Sequence, residues 1–336
     1  MYRTIFKLSI TYFLTFIFSL TLTACLPKDK TIKESSLESQ SAQNKIVLGF
    51  SQVGAESDWR SANSKSIMAA AQEAGIKLIF SNAQQKQENQ IKAIRSFIAQ
   101  QVDIIAFSPI VETGWESVLN EAKIADIPVV VMDRAIDIED KSLYVTHIGS
   151  DFEEEGRKAG RWLLESIDRE EIPINVVELQ GTIGASPTNG RSKGFEEIAK
   201  SNPNIKIIGA EAGDFMRSKG KELMEKFLRK EGKNINVVYS HNDDMALGAI
   251  EAIEEYGLRP GEDIKIVSVD AVKAAFEAMI QGKLNCTVEC NPLQGPKLIK
   301  VVKEIIKGKS VPKRIIIEER IFTEDNAKSE LPNRKY

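Results

Sequence analysis

Histidine and cysteine are nearly absent: the chain of 336 residues has two of the first and three of the second. So few imidazole and thiol ligands leave little from which to assemble a zinc or copper site, and they cannot supply a disulfide framework. Cys286 and Cys290 stand four apart in a stretch that reads as a strand at 284–290. At ~3.3 Å per residue their Cα atoms lie roughly 13 Å apart on a straight strand, beyond the ~7 Å that a disulfide spans. Both are expected to be free thiols. A surplus of positive charge is missing too. Lys and Arg number 45 against 48 Asp and Glu, a net charge of -3, so nothing supplies the basic field that a nucleic acid requires. The densest basic cluster, Lys307, Lys309, Lys313 and Arg314, is broken by Gly308 and Pro312 and reads as a solvated helix end and turn.

The signatures of common enzymes are also lacking. No Gly-x-Gly-x-x-Gly follows the first strand, where a dinucleotide fold places it. The segment Gly181-Thr-Ile-Gly-Ala-Ser186 lacks the Lys-Ser/Thr of a phosphate loop, and no Gly-x-Ser-x-Gly elbow occurs. His147 and His241 have no partner motif and read as structural residues. The sequence therefore predicts a protein that is not an enzyme and holds no cofactor and no metal.

At the N-terminus, Arg3 and Lys7 precede an apolar segment at 8–22 that is too short and too rich in Ser and Thr for a membrane span. It ends in Leu22-Thr23-Ala24-Cys25, which resembles a bacterial lipoprotein box. That resemblance implies a signal peptide at 1–24 and lipidation of Cys25, with the membrane reached through the lipid alone. The alternative is an ordinary signal peptide whose cysteine is incidental. Residues 25–44, rich in Lys, Ser, Glu and Gln, read as a solvated tether.

From residue 45 strands and helices alternate. Strands are predicted at 46–50, 77–80, 103–107 and 129–132, with helices at 61–74, 88–100 and 116–125. After Ser150 the rhythm restarts with helix 152–165, strand 175–179, helix 191–199, strand 205–208, helix 218–230, strand 237–240, helix 245–256, strand 264–269 and helix 271–280. Two such series predict an α/β protein of two similar lobes, each a parallel sheet covered by helices. The tail, with strand 284–290, helix 294–307 and strand 314–318, is too small for a third domain. Folded back onto both lobes, it would create several crossings and a hinge.

The run Ile127-Pro-Val-Val-Val-Met-Asp-Arg134 is apolar and β-branched until it stops on an acid and a base. It reads as a strand buried on both faces, and ligands of such sheets sit beyond the carboxyl ends of the strands. Taking strand ends in order yields Gln52, Glu56, Trp59 and Arg60; Asp133 and Arg134; Gln180, Asn189 and Arg191; His241, Asn242, Asp243 and Asp244; and Asp270. Carboxylates, amides and guanidiniums mixed with an aromatic ring match a polyol, whose hydroxyls both donate and accept. Each residue has a plainer alternative. Asp133 and Arg134 could form a surface ion pair, Trp59 and Phe215 could be core, Arg191 could lie on a helix surface, and Asn242–Asp244 and Asp270 could be helix caps.

From about Lys45 onward the chain resembles the periplasmic sugar-binding proteins of the ribose-binding type, and within them the galactofuranose-binding branch of bacterial ABC importers. The resemblance is carried by Gly49-Phe-Ser-Gln-Val-Gly54, Gln84-Gln-Lys-Gln-Glu-Asn-Gln-Ile-Lys92, Thr113-Gly-Trp-Glu116, Ile127 to Arg134, Val177 to Ser186, Gly213 to Lys221 and His241-Asn-Asp-Asp-Met245. It implies the type I fold, two Rossmann-like lobes joined by a hinge of three crossings near Ser150, Cys290 and Ile317. The first lobe would take 45–150 with 291–317, and the second 151–290 with 318–330. It implies that Asp133, Arg134, Arg191, Asn242 and Asp270 bind sugar hydroxyls, and that Phe215 is the aromatic of the second lobe. Trp59 and Arg60 fall where other members place two stacking phenylalanines. Cys290 departs from the family, in which glutamine or threonine is frequent. The function implied is capture of a monosaccharide by hinge closure and delivery to an ABC permease by a monomeric protein at the periplasm or cell surface. Another pentose, hexose or inositol, or a sensory subunit feeding a receptor, is the alternative.

Overall fold

A computed structural model describes residues 45–167 and 173–336. Residues 1–44 lie outside it, and with them the expected signal peptide, Cys25 and the tether. In chain order the elements are β1 (Val47–Gln52), α1 (Asp58–Glu73), β2 (Lys77–Asn82), α2 (Gln87–Ala99), β3 (Ile104–Phe107), α3 (Glu116–Ile124), β4 (Val129–Met132), β5 (Thr146–Gly149), α4 (Phe152–Ser166) and β6 (Ile174–Gln180). They continue with α5 (Ser186–Ala199), β7 (Ile205–Ala212), α6 (Arg217–Glu231), β8 (Val237–Ser240), α7 (Asp243–Glu255), β9 (Lys265–Asp270), α8 (Lys273–Ile280), β10 (Cys286–Glu289), α9 (Gly295–Ile306), β11 (Arg314–Ile316), β12 (Ile321–Thr323) and α10 (Glu324–Glu330).

Two sheets result, ordered β11-β5-β4-β3-β1-β2 and β12-β10-β9-β8-β6-β7. All pairings are parallel except β10 with β12. Alternation along the central strands explains why both faces of the first sheet are covered. Val129 and Val131 enter one core with Phe97, Phe107 and Trp115, while Val130 and Met132 enter another with Phe50, Ile67 and Leu298. The second sheet packs around Phe195, Tyr239, Phe276 and Phe322. The chain passes from one sheet to the other between β5 and α4, between β10 and α9, and between β11 and β12. Among the described residues no helix is long and apolar enough to cross a membrane.

Three local expectations are corrected, and one plainer alternative is excluded. α1 begins at Asp58 rather than at residue 61, because the Ser57 hydroxyl accepts from the Arg60 amide and caps it. α5 begins at Ser186 rather than at 191, with Pro187 in its first turn, where the missing N–H costs nothing. β5 was not expected: Thr-His-Ile-Gly carries a single large apolar residue, and its strand character comes from its neighbours β4 and β11. Asp270 is not a helix cap, since α8 starts at Lys273 after Val272. The short β12 and α10 add an antiparallel edge that the sequence pattern does not announce. Cys286 and Cys290 are free and buried, as the spacing requires.

Candidate functional site

The carboxyl ends of the strands deliver their terminal residues in strained backbone. Asp133 follows β4 with a φ of 57°, a left-handed conformation that L-residues adopt at a cost. Its amide donates to the Ile148 carbonyl at 2.7 Å. Its own carbonyl is 2.8 Å from His147 Nε2 and lies 2.2 Å from where a Cβ of Gly149 would stand. Gly149 is thus required by the close approach of the Asp133 backbone. Asp270, ending β9, has a φ of 124°, and Phe215 one of 63°. Three residues singled out by sequence are therefore held in costly conformations, which is common where geometry serves a ligand.

One cavity is lined by Glu56, Ser57, Trp59, Arg60, Asp133 and Arg134 from the first lobe, together with Phe152, Pro187, Arg191, Phe215, Asn242, Asp270 and Cys290. Nine residues expected from sequence to contact a ligand meet there: Glu56, Trp59, Arg60, Asp133, Arg134, Arg191, Phe215, Asn242 and Asp270. Gln52, expected with them, does not line it. Its carboxamide turns to Asn63 and Ser64 and accepts from Arg60 Nη1 at 3.2 Å, so it supports Arg60 from behind. Four further strand-end residues also stand apart. Gln180 donates to Ser192 and Asn189 to Glu112, while Asp243 accepts from Ser268 and Thr287 and Asp244 from the Asp58 amide. Phe152, Pro187, Ser57 and Cys290 were not expected as wall residues. The first two lie in the opening turns of α4 and α5, positions without a strand-end signal.

On the first lobe's side, Arg60 Nε donates at 3.1 Å to Oε1 of Glu56, the residue just ahead of the Ser57 cap. Arg60 Nη1 lies 2.8 Å from Asp133 Oδ2, yet that oxygen has no aligned hydrogen-bond donor among the described residues. The contact is an ion pair that leaves a lone pair for another donor. Arg134 Nη1 donates to the Ile110 carbonyl at 3.0 Å, its Nη2 lies 3.7 Å from Glu56, and its Nε has no acceptor among the described residues. Burial, followed by the charge of Arg60, pushes the Arg134 guanidinium down to about 10. The Trp59 indole donates to the Cys290 carbonyl at 2.5 Å, tying α1 to the end of β10.

On the other side, α4 and α5 run in backbone contact. A Cβ on Gly194 would come within 1.9 Å of the Glu153 carbonyl, and one on Gly156 within 2.3 Å of the Arg191 carbonyl. This approach brings Glu155 Oε2 to 2.7 Å from Arg191 Nε. Arg191 also donates to the His241 carbonyl and lies 3.7 Å from Asp270. Burial works against its charge, but Glu155 and Asp270 hold the guanidinium above its ordinary value. Burial pushes the Asp270 carboxyl well up, with Arg191 acting in the opposite sense. Asn242 caps α7 by accepting from Met245 N and donates to the Phe215 carbonyl at 3.1 Å. The capping alternative is realised, and the same residue lines the cavity. Arg134 and Arg191 stand 5.1 and 6.0 Å from the Phe215 ring centre.

The lining carries three guanidiniums and three carboxyl groups, Glu56, Asp133 and Asp270. Guanidiniums and carboxyl groups are equal in number, and such mixed donors and acceptors suit an uncharged molecule with several hydroxyls. His147 and His241 serve the backbone and Glu178 rather than the cavity. Burial lowers both below the ordinary histidine value, His147 to about 4. Outside the crossing segments the lobes are joined by Ala135 N donating to Ser186 Oγ at 2.7 Å, Glu112 N to the Gly184 carbonyl at 2.9 Å, Asn189 Nδ2 to Glu112 Oε2 at 2.5 Å and Asp58 N to Asp244 Oδ2 at 3.0 Å.

Comparison with known proteins agrees with this geometry. Residues 48–310 match the periplasmic binding protein domain. The galactofuranose-binding protein YtfQ of Escherichia coli K12 is 47% identical over 304 residues, 90% of this chain and 95% of that one. A Mycobacterium smegmatis protein solved with β-D-fucofuranose is 52% identical, with a TM-score of 0.85 over 87% of this chain and 95% of that one. The periplasmic component of the arabinose ABC transporter of Shewanella sp. ANA-3, bound to α- and β-L-arabinofuranose, is 48% identical, with a TM-score of 0.83 over 86% of this chain and 96% of that one.

Proposed function

The chain belongs to the periplasmic binding protein family, and from that premise we propose that it captures a monosaccharide in its furanose form, galactofuranose foremost, for an ABC importer. The observation that carries the reading is the cavity itself, walled by both lobes with balanced guanidinium and carboxyl groups and three aromatic rings. Asp133, Asn242 and Asp270 accept or exchange hydroxyl protons, Arg134 and Arg191 donate, and Trp59, Phe152 and Phe215 cover C–H faces. Glu56 and Gln52 hold Arg60 toward Asp133. The relatives solved with furanoses support this ring form.

No bond is made or broken in this scheme. A sugar that touches both lobes favours the closed arrangement by its differential affinity for it, and the interlobe hydrogen bonds add to that preference. The closed protein, a monomer held to the membrane by a lipid on Cys25, then docks on the permease. Calorimetric titration with mutarotated solutions of D-galactose and L-arabinose tests the reading. Saturable binding of either sugar, abolished in Asp133→Ala, is the expected result; binding of neither at millimolar concentration would contradict it. Labelled palmitate entering the wild type but not Cys25→Ser tests the anchor.

A further inference from the structure

The three crossing segments converge on one carboxyl group. Ser150 Oγ, from the first crossing, donates to Glu319 Oε1 at 2.5 Å, and the amide of Asn291, from the second, donates to the same oxygen at 2.9 Å. Glu319 itself belongs to the third. Behind it stands Glu155, buried in the first turn of α4 and packed toward the ends of β9 and β10. Its Oε2 is taken by Arg191, while its Oε1, also buried, has no donor among the described residues. Ligand atoms of Glu155, Glu319 and Cys290 all lie within 4.8 Å of one another.

Two carboxylates so close, in a site largely shielded from water, cannot both stay ionised cheaply. The groups around them decide where a proton resides. Arg191, from α5, pairs with Glu155 at 2.7 Å. The remaining cations are turned to carbonyls: Lys158 Nζ donates to the backbone of Glu319, and Arg314 Nη2, from β11, to the Ser150 carbonyl at 2.6 Å. Asp151, at the start of α4, caps that helix through Glu154 N, and Asp270 faces Arg191. Burial keeps the Cys290 thiol protonated. Burial and then the charge of Glu155 push Glu319 up to about 9.

We propose that Glu155 and Glu319 share one proton across the hinge junction, and that Glu155, so held, is the positioning residue for Arg191 in the cavity. The shared O–H satisfies the one oxygen of Glu155 that has no donor and joins the guanidinium facing the ligand to all three crossings. A shift of the crossing segments would therefore be felt at Arg191 as well as at Cys290 in the cavity wall. The positioning half rests on the sugar-binding reading above; the shared proton does not.

The test uses the full chain, sugar-free and with L-arabinose as probe. In the sugar-free protein labelled with carboxyl-13C glutamate, one resonance should titrate with a midpoint near pH 9 and disappear in Glu319→Gln. The dissociation constant for L-arabinose should be level from pH 6 to 8 and about tenfold weaker at pH 10, one pH unit past that midpoint. Glu319→Gln should lose this pH dependence, because its amide donates to Glu155 at every pH. Glu155→Gln should bind about tenfold or more weakly throughout, with Arg191 still present. Glu319 titrating below pH 6, or Glu319→Gln keeping the wild-type pH profile, would overturn the proposal. So would zinc raising the melting temperature of the wild type but not of Glu319→Gln, since a cation would then take the proton's place. Failure of L-arabinose to bind the wild type at pH 7 would defeat the sugar reading and the positioning role together, and the carboxyl titration would still decide the shared proton.

Discussion

Asp133 shows how much a single position can be asked to do. Its backbone is left-handed, its carbonyl is gripped by His147 and Gly149, and its carboxylate pairs with Arg60 while keeping a free lone pair toward the cavity. Removing the side chain takes a buried charged acceptor out of the cavity wall, and truncating one partner of a buried, hydrogen-bonded charge pair costs binding about 2–5 kcal/mol. Asp133→Ala is therefore expected to weaken sugar binding by two orders of magnitude or more in titration calorimetry; wild-type affinity would contradict this. Trp59→Phe keeps the ring but loses the indole donor to Cys290. A drop of about tenfold or less is expected there, near the ~1 kcal/mol of one neutral hydrogen bond. The Asp-Arg pair was legible because a strand buried on both faces has little reason to end on an acid and a base unless something polar meets them. Phe152 and Pro187 were not, because their place in the wall depends on where the first crossing sets α4 against α5.

Among elements, the α4–α5 pair governs the second lobe's half of the cavity. Gly156 and Gly194 let the two backbones touch, and only that approach lets Glu155 reach Arg191. Gly194→Ala would force the pair apart at the Glu153 carbonyl, costing about 1–3 kcal/mol as an overpacking substitution. The melting temperature should fall by several degrees and sugar affinity with it; an unchanged melting curve would show that the helices can separate freely. The sequence announced both helices by their periodicity but placed the start of α5 five residues late. Pro187 occupies its first turn, and Gly190 receives the Phe152 side chain. β5 was missed for a related reason: its strand state is imposed by parallel neighbours on either side and not by its own residues.

For the whole molecule, the contact between lobes at Asp58 and Asp244 makes stability depend on pH. Burial and then the charge of Asp58 push the Asp244 carboxyl up to about 7, against about 4 in an unfolded chain. A raised carboxyl favours the folded, closed state at low pH, and that contribution is lost as pH climbs from about 4 through about 7. Asp244→Asn still accepts from the Asp58 amide but does not ionise. It should melt higher than the wild type at pH 8, with the difference shrinking toward pH 4; a constant difference would place the linkage elsewhere. The alternation of strands and helices made two lobes readable from sequence. How completely the lobes enclose the cavity was not, since that depends on tertiary contacts between residues far apart in the chain, such as Glu112 with Gly184. The most direct test is a crystal structure grown with mutarotated D-galactose. A furanose ring is expected between the lobes, with hydroxyls in hydrogen-bond contact with Asp133, Arg191 and Asn242; a sugar seated outside that cavity, or a charged molecule retained within it, would contradict the furanose-binding role.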